Sequence, residues 1–125
     1  MRQRAQSATV VVATADPLLR WALVERLGDA GYAVVEAISV ADLRARLARK
    51  PLAVILDERL GDRQRMGLLE VVDERSPDSA VLLLAVEASQ HAEALAARRG
   101  ASVTLSKPFD FEVLLAELAK ALPAP

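Results

Sequence analysis

The chain contains no cysteine, which excludes disulfides and thiolate metal sites and is compatible with a reducing compartment. Its single histidine, His91, excludes a metal site built from imidazoles alone. No apolar run approaches the ~18 residues that a membrane span requires, so no membrane contact is expected. Met1-Arg2-Gln3-Arg4 ahead of Val10-Val11-Val12-Ala13 has the outline of a signal peptide, but the apolar segment is too short for an h-region. Asp16-Pro17 fits a helix start better, and the expected location is the cytoplasm. Neither sign of charge dominates: 16 basic and 17 acidic residues are interspersed, giving a net charge of -1, which is no electrostatic footprint for nucleic acid. Repeats and low-complexity segments are absent as well. What the 125 residues do contain is 53% hydrophobic side chains, enough for one domain to bury a core without staples.

That apolar content is arranged in short runs. Ala8 to Ala13 is β-branched and does not alternate, the texture of a strand buried on both faces. Asp16-Pro17 supplies an N-cap and an N1 proline for a helix to about Ala30, with Gly31 as its C′ residue. Tyr32 to Ala37 is a more mixed strand, and Ser39-Val40-Ala41-Asp42 resembles a capping box opening a helix to about Arg49, stopped by Pro51. Leu52 to Leu56 is a third strand ending on Asp57, followed by a charged loop from Glu58 to Arg65. A third helix is predicted from Gly67 to about Glu74, ended by Ser76-Pro77, and Ala80 to Val86 is a fourth buried strand. Ser89 caps an alanine-rich helix to Arg99 with Gly100 at its end; Val103-Thr104-Leu105 is a brief strand. Lys107-Pro108 turns the chain, and Asp110 caps a last helix to about Leu122. One domain is expected over residues 8–122, with 1–7 as an N-terminal extension and 123–125 as a tail or the start of a linker.

Five strands alternating with five helices, each connection long enough for a crossover, predict a parallel sheet covered on both faces. The first, third and fourth runs are apolar throughout, as central strands should be, while the second and fifth are mixed. The order 2-1-3-4-5 produces that texture: an α/β, flavodoxin-like, doubly wound (βα)5 fold. Its topological switch lies between strands one and three, and ligands bind beyond their carboxyl ends. Those ends carry Thr14-Ala15-Asp16 and Asp57.

Several chemistries use this architecture. A phosphate loop after strand one would need glycine to let backbone amides approach, and Ala13-Thr14-Ala15-Asp16 has none. A GxGxxG fingerprint is missing, as is a histidine after strand three. What remains is Asp57 with a lysine, Lys107, after strand five. At this point the chain resembles the receiver domains of two-component response regulators. The resemblance spans nearly the full length: Asp16-Pro17, Ala30-Gly31-Tyr32, Leu56-Asp57, Gly100-Ala101 and Leu105-Ser106-Lys107-Pro108-Phe109-Asp110. Each is weak alone; their combination in order is specific.

The resemblance implies that an aspartate ending strand three accepts a phosphoryl group from a histidine kinase, helped by Mg²⁺ held by that aspartate and an acidic pair after strand one. It also implies a lysine that pairs with phosphoryl oxygens, a strand-four hydroxyl, and an aromatic switch in strand five. Asp57 matches the acceptor and Lys107 the lysine. The acidic pair falls on Thr14 and Ala15, the hydroxyl on Ala85 and the aromatic on Thr104, so two of the five positions match. The loop after Asp57 is also longer than usual for the family. One charge pair at 4 Å is worth about 4 kcal/mol at an effective dielectric near 20. Losing two carboxylates therefore predicts a fall of orders of magnitude in Mg²⁺ affinity at ~1.4 kcal/mol per tenfold. Asp57, with Asp16 in weak support, is the metal position that remains; no resident cofactor is expected. Asp57 and Lys107 are expected to form a direct ion pair, and the Lys107-Pro108 bond is a candidate cis peptide.

Simpler readings stand beside these. Asp57 alone is a loop-initiating acid, and His91 a solvated side chain. At ~100° per residue, Leu19, Leu23 and Leu27 share the inner face of the first helix, leaving Leu18 and Trp21 outside with Glu25. That pair is either a ring lying on its own helix or a contact surface; in the family this helix is a common docking face. Phe111, Leu114, Leu115, Leu118 and Leu122 form a core stripe. The leading reading is a non-enzymatic pseudo-receiver, monomer or weak homodimer, whose partner is a histidine kinase, an output domain or a second copy. A working receiver phosphorylated on Asp57 through a non-standard metal site is the alternative. A small-ligand binder on the same fold is a third class, without a supporting motif.

Overall fold

Runs of β-branched and apolar residues become strands, and each capped segment between them becomes a helix that returns the chain to the start of the sheet. The structure, a computed structural model, describes residues 9–61, 65–86 and 103–121. In chain order the elements are β1 (Thr9–Ala13), α1 (Pro17–Asp29), β2 (Ala33–Ala37), α2 (Val40–Leu47), β3 (Ala53–Asp57), α3 (Arg65–Arg75), β4 (Ala80–Ala85), β5 (Val103–Ser106) and α4 (Phe111–Ala121). All neighbouring strands are parallel, in the order β2-β1-β3-β4-β5. This is the doubly wound order expected from strand texture: β1, β3 and β4 are buried almost throughout, whereas edge strands β2 and β5 are partly open.

Because successive strand residues face opposite ways, each central strand serves two cores. Val11, Val54, Leu56 and Leu83 pack against Leu43 and Leu47 of α2 and Leu68, Leu69 and Val72 of α3. Val10, Val12, Ile55, Leu82 and Leu84 pack against Leu23 and Leu27 of α1 and Leu114 and Leu118 of α4. At about 1.5–3 kcal/mol for each large apolar side chain fully buried, these two layers are the main term opposing chain entropy. The four helices described thus divide two to each face. Among the described residues, no helix is long and apolar enough to cross a membrane.

The caps act where the sequence places them. Asp16 Oδ1 accepts from the amides of Leu18 and Leu19 at 3.0 and 3.2 Å, and Gly31, at φ +99°, takes the left-handed turn after α1. Ser39 Oγ accepts from Asp42 N, while Asp42 Oδ2 accepts from Ile38 N, so the returning carboxylate reaches the residue before the cap. Asp110 Oδ1 accepts from Glu112 N at the start of α4.

Several boundaries differ from expectation. α2 ends at Leu47, not near Arg49: Lys50 N closes on Leu47 O, and Lys50 adopts φ 52° ahead of Pro51, which disfavours helical geometry in its predecessor. α3 begins at Arg65, ahead of the expected Gly67. Leu60, expected in a polar loop, is fully buried in the α2–α3 core, so the segment after Asp57 is anchored by an apolar side chain. The helix expected from Ser89 to Arg99, with His91 and Gly100, lies outside the described residues. So do residues 1–8, Leu122 and residues 123–125.

Candidate functional site

The site is built at the carboxyl ends of adjacent strands. Ala13 of β1 lies beside Leu56 of β3, so the residues that follow, Thr14 and Asp57, stand side by side at the end of the sheet. Thr14 N continues the ladder for one residue by donating to Ala37 O at 3.0 Å. Its hydroxyl accepts from Asp16 N at 3.1 Å and donates to Asp57 Oδ2 at 2.7 Å. Both residues are buried, Asp57 being only 3% exposed. The Thr14 carbonyl accepts from Arg20, whose Nε also pairs with Glu36 at 3.0 Å, bracing this loop against β2.

From the other side, β5 ends at Ser106 and Lys107 N donates to Ala85 O at 2.7 Å, which extends the β4–β5 pairing by one residue. The Lys107 ammonium then reaches across the strand ends to Asp57 Oδ1 at 2.9 Å. Arg59 N donates to the same oxygen at 3.1 Å. The Lys107–Pro108 peptide is cis. Burial pushes the Asp57 carboxyl upward, but hydrogen bonds from Lys107, Thr14 and the Arg59 amide, together with the Lys107 charge, outweigh it and hold the group below its ordinary value. Asp57 is therefore an ionised carboxylate paired directly with a cation.

The residues singled out in the sequence separate into two groups. Asp57, Lys107 and Thr14 converge. Ala15 is exposed beside them, Ala85 is fully buried and contributes its carbonyl, and Thr104 is buried in β5 opposite Leu83. Asp16 contributes its amide to Thr14, while its carboxylate caps α1. Glu58 is a participant that sequence reasoning missed: its amide donates to Leu84 O and its carboxylate accepts from Val86 N at 2.6 Å, tying the end of β3 to the end of β4. The only signal was a polar residue directly after Asp57. Leu18 and Trp21 lie on the outer face of α1, 74% and 63% exposed. The inner face of α1 meets α4, where Arg26 stacks 5.0 Å from the centre of the Phe111 ring.

A carboxylate offers about four lone-pair positions. On Asp57, Lys107 and Arg59 N occupy Oδ1 and Thr14 occupies part of Oδ2. Mg²⁺ demands near-octahedral oxygen ligation at about 2.0–2.1 Å, usually anchored by one or two carboxylates. Among the described residues no cluster of three acidic, histidine or cysteine side chains converges, and the second carboxylate in the neighbourhood, Asp16, is committed to a helix cap. The Glu58 carboxylate is likewise committed, to Val86 N, and these donors do not fit a Mg²⁺ ion. A hollow of about 420 Å³ lined by Thr9, Val35, Ala45, Arg46, Arg49 and Pro51 lies at the opposite, amino-terminal end of the strands, away from Asp57.

Comparison with known proteins points to one family. The model of the "Response regulator receiver domain" family matches residues 10–119. The photosynthetic apparatus regulatory protein RegA of Cereibacter sphaeroides is 34% identical over 97% of this chain and 67% of its own length. The DNA-binding transcriptional regulator NtrC of Escherichia coli is 29% identical over 94% of this chain, which spans only 25% of that regulator. Among solved structures, the chemotaxis protein CheY4 of Vibrio cholerae superposes with a TM-score of 0.83 at 24% identity, covering 93% of this chain and 99% of that one.

Proposed function

This chain belongs to the response regulator receiver domain family of two-component signalling, and from that premise we propose that it is an atypical receiver, signalling through protein contacts without ordinary Mg²⁺-dependent phosphorylation. One observation carries the reading: Asp57 is held between the Thr14 hydroxyl at 2.7 Å and the Lys107 ammonium at 2.9 Å. In-line phosphoryl transfer depends on positioning and on neutralising charge at the transferred group. Here Lys107 neutralises the acceptor itself. The positions that would supply metal ligands are a hydroxyl and a methyl group, and Ala85 offers no side-chain hydroxyl to a phosphoryl oxygen. On this reading the chain is not an enzyme, works in the cytoplasm, and needs no resident cofactor.

The Asp57–Lys107 pair becomes a structural clasp that joins the end of β3 to the end of β5. The exposed Leu18 and Trp21 on α1 are the surface we assign to contact with a protein partner: a histidine kinase, an output domain or a second copy. Incubation with Mg²⁺ and acetyl phosphate, followed by intact-mass measurement beside Asp57→Asn, tests the reading. The expected result is no stable phosphoryl adduct on either protein. An adduct present in the natural chain and lost in Asp57→Asn would establish a working phosphoacceptor instead.

A further inference from the structure

Loss of acidic side chains is one reason for a metal-free site; the hydrogen bonding around Thr14 supplies a second and separable one. We infer that Thr14 is a positioning residue that weakens Asp57 as a ligand for divalent cations, its hydroxyl proton competing for the oxygen that a cation would need. This rests on the reading of the chain as a receiver that works without Mg²⁺, and assigns the block to a particular atom.

The geometry is specific about direction. A hydroxyl has one proton to donate and lone pairs with which to accept. Asp16 N donates to Thr14 Oγ1 at 3.1 Å, so the oxygen's accepting side is used by the backbone and its proton is directed to Asp57 Oδ2 at 2.7 Å. Asp16 N is itself fixed, because Asp16 is the N-cap of α1 and its carboxylate is tied to Leu18 and Leu19. The Thr14 proton is therefore held in place from behind by a helix terminus. Bonds of this type, from a hydroxyl to an ionised carboxylate, are short and about twice as strong as neutral ones, and this one is buried, with Thr14 1% and Asp57 3% exposed.

Oδ1 is no alternative, since Lys107 and Arg59 N already share it. A cation approaching Oδ2 must share that oxygen with the Thr14 proton, which already draws on its charge and takes one of its two lone-pair positions, or displace the proton and leave the hydroxyl without its acceptor in a buried place. Replacing the lost carboxylates thus restores only part of the affinity while the proton remains. Position 15 separates the two causes: Ala15 is exposed, so a carboxylate can be introduced there without a burial penalty.

The test is Mn²⁺ binding by isothermal titration calorimetry to the natural chain, Ala15→Asp, Thr14→Ala/Ala15→Asp and Thr14→Ser/Ala15→Asp. Thermal unfolding checks that each is folded, and Thr14→Val/Ala15→Asp replaces the alanine variant if that one is not. Removing the hydroxyl is expected to tighten Mn²⁺ at least tenfold relative to Ala15→Asp alone, a difference of about 1.4 kcal/mol. The serine variant, which keeps the hydroxyl, is expected to bind as weakly as Ala15→Asp. Equal affinity with and without the hydroxyl, including no binding by either, overturns the inference, as does a serine variant that binds like the alanine one. A phosphoryl adduct on Asp57 of the natural chain would refute the proposed function while leaving this comparison intact. Equal Mn²⁺ binding would do the reverse.

Discussion

Replacing Lys107 by methionine tests whether the clasp across the strand ends holds the domain together. The substitution keeps most of the side-chain length and removes the ammonium 2.9 Å from Asp57 Oδ1. At an effective dielectric near 20, a pair at that separation attracts by about 6 kcal/mol, a gross value from which the desolvation of both charges must be subtracted. Breaking a fully buried pair costs about 3–5 kcal/mol, because the remaining charge is left uncompensated. Here the Asp57 side chain is 4% exposed but Lys107 is 23% exposed, so water already screens one partner, while Thr14 and Arg59 N still serve the carboxylate. The expected loss is about 2–3 kcal/mol, a fall in Tm of roughly 10 °C for a domain of this size.

Urea unfolding monitored by circular dichroism measures that loss, and its pH dependence identifies the source. Asp57 in the folded chain titrates below its ordinary value of 3.8. Its stabilisation is therefore complete above that value and disappears as pH falls through the lower, folded-state value. The gap between the natural chain and Lys107→Met should be full at neutral pH and narrow in acid, where protonation removes the stranded charge in the variant. A double-mutant cycle with Asp57→Asn should return a coupling of about 1–2 kcal/mol. An unchanged unfolding midpoint for Lys107→Met, or a gap that persists undiminished in acid, would refute the clasp.

Two further expectations concern α1. Trp21, 63% exposed, should emit as a water-exposed indole in dilute protein, and a blue-shifted emission would contradict its place on the outer face. Asp16→Ala removes the side-chain acceptor for Leu18 N and Leu19 N and should cost about 1 kcal/mol in denaturant unfolding. A loss well beyond that would mean that the Asp16 carboxylate does more than cap the helix.

The architecture was readable because its signals are local. Continuous apolar runs at β1, β3 and β4 against mixed runs at β2 and β5 reflect positions at the centre and at the edges of the sheet, and that difference predicted the strand order. Asp16-Pro17, Ser39 and Asp110 announced helix starts through short polar side chains that satisfy backbone amides nearby. What was not readable depends on longer reach. Leu60 sat among charged residues and gave no periodic signal, yet it fills the core beneath α2 and α3. Glu58 looked like one more loop acid, and only the β3–β4 pairing brings its carboxylate to Val86 N.

The candidate site divides along the same line. The sequence by itself determined that Asp57 and Lys107 lie at the ends of strands three and five, and its resemblance to receivers implies that Thr14, Ala15, Ala85 and Thr104 stand where that family has other groups, because side-chain chemistry is a property of each residue alone. The ion pair with Lys107 was expected; only the tertiary structure decided that the Thr14 hydroxyl and the Arg59 amide also serve Asp57. Its partners, Thr14 and Lys107, stand 43 and 50 residues away along the chain, and they meet because parallel pairing of β1, β3, β4 and β5 aligns strand ends that no local pattern relates. The threonine that reads in sequence as a missing acid is, in the folded chain, a donor held in place by the first helix and bound to the Asp57 carboxylate.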